Sequence, residues 1–181
     1  MKPRLLLHAC CAPCSIYVLS KLAHEYDLAI FFYDPNIHPR KEYNLRRDEL
    51  KKYAEKIGVK FEEGEYDSSV WFSRAKGLEN EPERGRRCEM CFDFRLSKTA
   101  TKAKAEKYGA FATVLSISPH KDYAQISVIG QSLANQLGIE FLDRDWKKKE
   151  GFKIASRMSQ AEGFYRQDYC GCVYSKKDKN V

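Results

Sequence analysis

The chain contains no apolar run long enough to cross a bilayer. A spanning helix needs about 18–20 consecutive apolar residues, and the apolar stretches here stop after a handful. Behind Met1-Lys2-Pro3-Arg4 only Leu5 to Leu7 are continuously apolar, too few for the core of a secretion signal. A cytoplasmic protein with no membrane contact is expected. Internal repeats, low-complexity tracts and clear linkers are also missing, so the 181 residues are expected to form a single α/β domain, 1–181. Glycine is missing from one telling place. The stretch His8-Ala9-Cys10-Cys11-Ala12-Pro13-Cys14-Ser15, directly after the first strand candidate, has none. Loops that cradle phosphates at that point of a nucleotide-binding fold are glycine-rich, so this one is built for something else.

Positive charge is in excess. Lys and Arg number 32 against 25 Asp and Glu, a net charge of +7. Basic residues cluster at Arg46-Arg47 with Lys51-Lys52, at Arg84, Arg86 and Arg87, and at Lys147-Lys148-Lys149. Such clusters are either a solvated face or the footprint of an anionic macromolecule, most plausibly nucleic acid.

Apolar patterning predicts strands at 4–8, 28–33, 59–66, 111–117 and 140–142. Between them it predicts helices at 15–26, with Ser15 as the cap, at 42–57, at 92–108 and at 123–137, the last three stopped by Gly58, Gly109 and Gly138. Strands alternating with helices of this length imply a mostly parallel sheet with helices on both faces. Such folds bind ligands beyond the carboxyl ends of their strands, which is where the first cysteines fall.

All seven cysteines belong to three motifs: Cys10-Cys11-x-x-Cys14, Cys88-x-x-Cys91 and Cys170-x-Cys172. Thiols used as small core hydrophobes would be scattered. Disulfide frameworks suit small secreted domains and even counts. A thioredoxin-type pair would account for one CxxC and leave five thiols over. Metal binding remains. A structural zinc takes four ligands, fewer than are present, and neighbouring Cys10 and Cys11 are expected to diverge, which suits a multi-metal site better than a single ion. Closely spaced thiolates favour an iron–sulfur cluster. A four-iron cluster uses four of them; the surplus would hold a second metal ion or act as redox thiols.

Three other loops carry polar groups. Tyr33-Asp34-Pro35-Asn36-Ile37-His38-Pro39 follows the second strand and is either a stiffened turn or a wall of the site. Ser116-Ile117-Ser118-Pro119-His120-Lys121-Asp122 follows the fourth and either binds a polar substrate or caps a helix. The charged run from Glu79 to Arg87 leads into the CxxC.

Together these residues resemble the cobalamin-independent epoxyqueuosine reductases of the QueH type over nearly the whole chain. The resemblance rests on His8 to Ser15, on Pro35-Asn36-Ile37-His38-Pro39, on Tyr66-Asp67 with Trp71-Phe72, on Arg74-Ala75-Lys76-Gly77 and on Glu79 to Gly85. It continues through Arg87-Cys88-x-x-Cys91-Phe92-Asp93-x-Arg95 and Tyr169-Cys170-Gly171-Cys172-x-Tyr174-Ser175. Asp34 departs from the pattern, which has asparagine more often, and is not counted among the site residues. The resemblance implies a fold like the adenine-nucleotide hydrolase and PP-loop (HUP) group, a Rossmann-like three-layer α/β sandwich with a mostly parallel sheet. It implies an enzyme that reduces an epoxide on a cyclopentane ring to an alkene, the last step of queuosine formation in tRNA. It also implies a [4Fe-4S] cluster with a second mononuclear iron nearby and no cobalamin. The partners would be tRNA carrying epoxyqueuosine and an electron donor that the sequence does not identify.

On that basis Cys10, Cys11, Cys14, Cys88, Cys91, Cys170 and Cys172 are expected to divide between cluster and second iron. Asp93 is expected to add a carboxylate to that iron, and Lys121, His38 or Glu81 to supply protons or orient substrate. Tyr33, Trp71, Phe72 and Tyr165 are candidates to stack on an unpaired base. Three alternatives compete: a PP-loop-like iron–sulfur tRNA thiolase, which needs ATP; a zinc-stabilised RNA-binding module; and a thiol–disulfide reductase. Cys10→Ser and Cys11→Ser should each abolish iron loading or turnover; full iron content together with full activity in both variants would refute the metal assignment.

Overall fold

The computed structural model describes residues 2–177. Its sheet has five strands, β1 (Arg4–His8), β2 (Asp27–Phe32), β3 (Lys60–Glu63), β4 (Ala110–Thr113) and β5 (Glu140–Phe141), in the order β3-β2-β1-β4-β5. Every pairing is parallel. The helices are α1 (Ala12–Leu22), α2 (Arg40–Lys56), α3 (Ser68–Ala75), α4 (Arg86–Ala105), α5 (Tyr123–Leu137), α6 (Gly151–Ala161) and α7 (Val173–Lys177). Leu5, Leu6 and Leu7 are fully buried, as a central strand covered on both faces requires. The edge strand β3 carries Lys60, Glu62 and Glu63, and its charges discourage pairing with another chain. Helix α1 packs on α2 and α6, and α4 packs on α3 and α5; right-handed crossovers put these two groups on opposite faces of the sheet. The parallel sheet with helices on both faces expected from the strand and helix alternation is present, and so is the Rossmann-like form that the resemblance implies.

The boundaries differ where they matter. Helix α1 starts at Ala12, not at Ser15. Cys11 is its N-cap, Pro13 fits the first turn, and the Ser15 hydroxyl donates to the Cys11 carbonyl at 2.6 Å instead of capping. Helix α4 starts at Arg86, so Cys88 and Cys91 stand on its first turns. The fourth strand stops at Thr113 and gives way to a 3-10 turn at Leu115–Ile117, where the Leu115 N–H turns back to Thr113 Oγ1 at 3.1 Å. Helices α3, α6 and α7 were not expected from the patterning. Strand order reverses at β1, so the switch-point crevice opens between the carboxyl ends of β1 and β4. Among the described residues no helix is long and apolar enough to cross a membrane.

On α5, Gly130 lies flat against the Phe141 ring, and a Cβ there would come within 2.2 Å of it. Gly130→Ala is expected to cost about 1–3 kcal/mol from overpacking, outweighing a helix-propensity gain of about 1 kcal/mol. A lower urea midpoint at unchanged slope is the expected result; a higher midpoint would show that the ring yields freely.

Candidate metal centre

The sulfurs of Cys10, Cys11 and Cys14 lie within 4.8 Å of one another, and those of Cys10 and Cys11 are 3.9 Å apart. Their expected divergence is therefore corrected. Cys11 is extended, with φ −172 and ψ 157, at the step from β1 into α1, and that step turns both neighbouring side chains toward the crevice. Cys88 and Cys91, three apart, share one face of α4.

The third motif has no strand or long helix beneath it and is held by clamps. Arg46 of α2, 1% exposed, donates to the carbonyls of Tyr169 and Cys170 at 3.1 Å each and to Glu42 at 2.7 Å. The His38 N–H donates to the Gly171 carbonyl at 2.8 Å, and the Tyr169 hydroxyl donates to the His38 carbonyl. Gly171 has φ 115, and a Cβ on it would meet Ile37 at 2.8 Å; only glycine fits between the two cysteines. The result is a small cavity lined by Cys88, Cys91, Cys170 and Cys172 with Asn36 and Lys121. Beside it a cleft of about 240 Å³ is lined by Cys10, Cys14, Cys170 and Lys121.

All seven cysteines are free, and most of their thiols are held neutral. Its bond to Cys11, with burial, pushes Cys10 up to about 12. Cys14 reaches about 12 through its bond to Cys10 and burial. In Cys11 the bond from Cys10 works downward, but Cys14 and burial outweigh it and the thiol again stands at about 12. Burial raises Cys88 and Cys91. Cys170 is the exception, lowered by its bond from Cys172 and by Lys121 against the effect of burial. For Lys121 burial favours the neutral amine, but Cys10, Cys14 and Cys170 prevail and raise it.

This donor set fits a thiophilic metal. Sulfurs from three motifs share one crevice, the N-terminal ends of α1 and α4 carry four of them with Cys10 just before the cap of α1, and helix N-termini favour thiolates. Arg46, Arg95 and Lys121 stand by to offset their charge. Arg95 also ties α4 to the loop after β2, donating to the Cys91 carbonyl at 3.2 Å and to Asp34 Oδ1 at 2.8 Å. Asp34 is wholly buried, with His8 Nε2 at 3.5 Å. Burial opposes its ionisation, but His8 and Arg95 outweigh it and hold the carboxyl below its usual range.

Lys121 is thus brought into the site with the cysteines; the other three polar candidates are not. His38 is wedged against Trp71 and Phe72, ring centroids 5.1 and 4.4 Å away, and burial lowers it to about 4. Glu81 accepts the Arg86 N–H at 3.1 Å at the start of α4. Asp93 accepts from Ser97 at 3.3 Å; two residues after Cys91 it stands about 200° around the helix, and it lines neither cavity. Trp71 and Tyr33 are buried, and the Tyr165 hydroxyl is bonded to Glu42 at 3.2 Å. Two arginines of the basic clusters face inward: Arg46, and Arg87, which donates to the carbonyls of Leu78 and Glu79 at 3.2 and 3.0 Å. Sequence reasoning missed Gln167 and Phe152, which line the cleft. The spacing of Phe152, Ala155 and Ser159 on one helical face was the available signal for α6.

Fold and site together define a Rossmann-like α/β protein that carries a thiol-rich centre at its switch point. The family described as epoxyqueuosine reductase QueH matches residues 5–178. Curated relatives of that name include one from Histophilus somni, 46% identical over 98% of this chain and 74% of its own length. One from Streptococcus pyogenes serotype M1 is 37% identical over 100% and 73%, and one from Thermotoga maritima 35% identical over 94% and 88%. This chain belongs to the epoxyqueuosine reductase QueH family. A solved structure described as a predicted subunit of tRNA methyltransferase from Methanocaldococcus jannaschii shares the fold, with a TM-score of 0.57 and 16% identity over 84% of this chain and 74% of that one.

Because the Asp34 carboxyl is depressed, its contribution to stability is full above the unfolded value of about 3.9 and is lost as pH falls through the folded value. Asp34→Asn keeps an acceptor for Arg95 but removes the charge. It is expected to lose about 1–3 kcal/mol at pH 7 and to show a flatter acid limb in pH-dependent unfolding; an unchanged acid limb would refute this account of the pair.

Proposed function

We propose that the crevice where the three cysteine motifs meet is the active site of an epoxyqueuosine reductase. As a family member the chain is an oxidoreductase that converts epoxyqueuosine to queuosine in tRNA, which displaces the thiolase and zinc-module alternatives. The observation that carries the assignment of the site is the convergence of these thiols with Lys121 at the switch point.

The spacing suggests how the thiols divide. In a single tetrahedral thiolate site, with sulfurs about 2.3 Å from the metal, neighbouring sulfurs stand roughly 3.8 Å apart. The close triad of Cys10, Cys11 and Cys14 suits such an ion, and we assign the second iron to it. Cys88, Cys91, Cys170 and Cys172 together line the neighbouring cavity and would hold the [4Fe-4S] cluster. Bound there, iron supplies electrons and a Lewis acid for the epoxide oxygen. The triad needs no carboxylate from Asp93.

Removing the oxygen consumes two electrons and two protons and releases water. Lys121 faces both cavities, and the surrounding sulfurs keep its Nζ protonated, so it is the group placed to give a proton to the departing oxygen. Phe152, 41% exposed at the cleft mouth, offers a face on which an unpaired base stacks. Arg166 and His120 on the same rim meet backbone phosphate, so tRNA affinity falls with salt. Electrons come from an external donor.

The deciding experiment is anaerobic reconstitution with iron and sulfide, followed by tRNA bearing epoxyqueuosine and a strong reductant. Conversion without cobalamin or ATP is expected, and Lys121→Met should lower kcat by about 10²-fold or more at unchanged iron content. Zinc without labile sulfide in active protein would overturn the assignment.

A further inference from the structure

Gln167 lies between α6 and the third cysteine motif. Its Nε2 donates to Cys11 Sγ at 3.0 Å, while its Oε1 is buried without a partner. The side chain lines the same cleft as Cys10, Cys14 and Lys121. A second orphan stands on that wall. Ser159 of α6 is 1% exposed, and its hydroxyl has no partner. Phe152, Ala155, Ser156 and Ser159 recur at the spacing of one helical face, and all four line the cleft. Folded proteins leave few buried polar atoms unsatisfied, so two on one wall of an open cleft call for a ligand that completes them.

The sulfur decides how the amide is oriented. A metal-bound thiolate only accepts hydrogen bonds, so the amide keeps Nε2 toward Cys11 and leaves Oε1 as the unpaired acceptor of a side chain that lines the cleft. Gln167 therefore offers an acceptor, and Ser159 offers a donor or an acceptor. That pattern matches hydroxyl groups, and the cyclopentane ring of epoxyqueuosine carries hydroxyls beside its epoxide.

We infer that Gln167 is a positioning residue that joins the two halves of the site: its N–H holds the Cys11 sulfur, while its Oε1 and the Ser159 hydroxyl bind the ring hydroxyls of the substrate. The identity of that ring rests on the proposed function; the bond to sulfur does not. An N–H donated to a thiolate withdraws charge from it and favours the reduced metal.

The test compares reconstituted wild type with Gln167→Leu, Gln167→Glu and Ser159→Ala by iron content, anaerobic redox titration and steady-state kinetics. Gln167→Leu is expected to keep its iron, shift the midpoint potential to more negative values and raise KM about tenfold. Gln167→Glu, which loses the donor but keeps an acceptor, should shift the midpoint in the same direction with a smaller rise in KM. Ser159→Ala should leave the midpoint at the wild-type value and raise KM about tenfold, with affinity for unmodified tRNA unchanged in every variant. A wild-type midpoint in both Gln167 variants, or a wild-type KM in both Gln167→Leu and Ser159→Ala, overturns the inference. Wild-type protein that loads iron yet leaves the epoxide intact overturns the proposed function instead, and the midpoint comparison, which uses no substrate, still decides the role of Gln167.

Discussion

The thiol centre depends on how the third cysteine motif is held. Cys10, Cys11, Cys14, Cys88 and Cys91 are placed by the starts of two long helices. Cys170 and Cys172 arrive on a loop, and the fold must import rigidity for them. Arg46 supplies it, with a planar guanidinium that reaches two successive carbonyls and a carboxylate at once; lysine has no such fork. The loop after β2 does the rest, through His38 and Tyr169. Many residues of the extended motifs thus act on cysteine position rather than on chemistry.

A second tension runs through the centre. Burying sulfurs close together disfavours their ionised form, and here it keeps most of the thiols neutral. Metal binding needs the thiolates and so must expel protons, which ties loading to pH. Arg46, Arg95 and Lys121 lower that cost because they already stand beside the sulfurs. Asp34 balances Arg95 in turn. An asparagine at this position would keep the hydrogen bond and leave the guanidinium charge free to face Cys91.

Much was legible from pattern. The apolar run Leu5 to Leu7, the breaks at Gly58 and Gly138 and the spacing of helices between strands led to the parallel α/β fold, because local periodicity and the handedness of crossovers restrict the choices. The cysteine motifs pointed to the candidate centre because sulfur at such spacing has few other uses. Boundaries were less legible. Ser15 looked like a cap, but Pro13 and an extended Cys11 start the helix earlier, and this moves the first motif from a loop onto a helix end. Helix α6 escaped notice because its apolar face is short and includes Ser156 and Ser159.

By itself the sequence determined the fold class, the family and the chemistry of the donor atoms, since these follow from residue type and near-neighbour spacing. Tertiary structure alone decided which side chains meet. Asp93 and Cys91 are two residues apart yet point in different directions, because a helix turns about 100° per residue. Gln167 and Cys11 lie far apart in the chain yet touch, because α6 packs on α1. Arg46 and Arg87 looked like charge for a partner and proved to be internal struts. Whether an arginine meets solvent or a carbonyl depends on what the rest of the chain packs around it, and no local pattern records that.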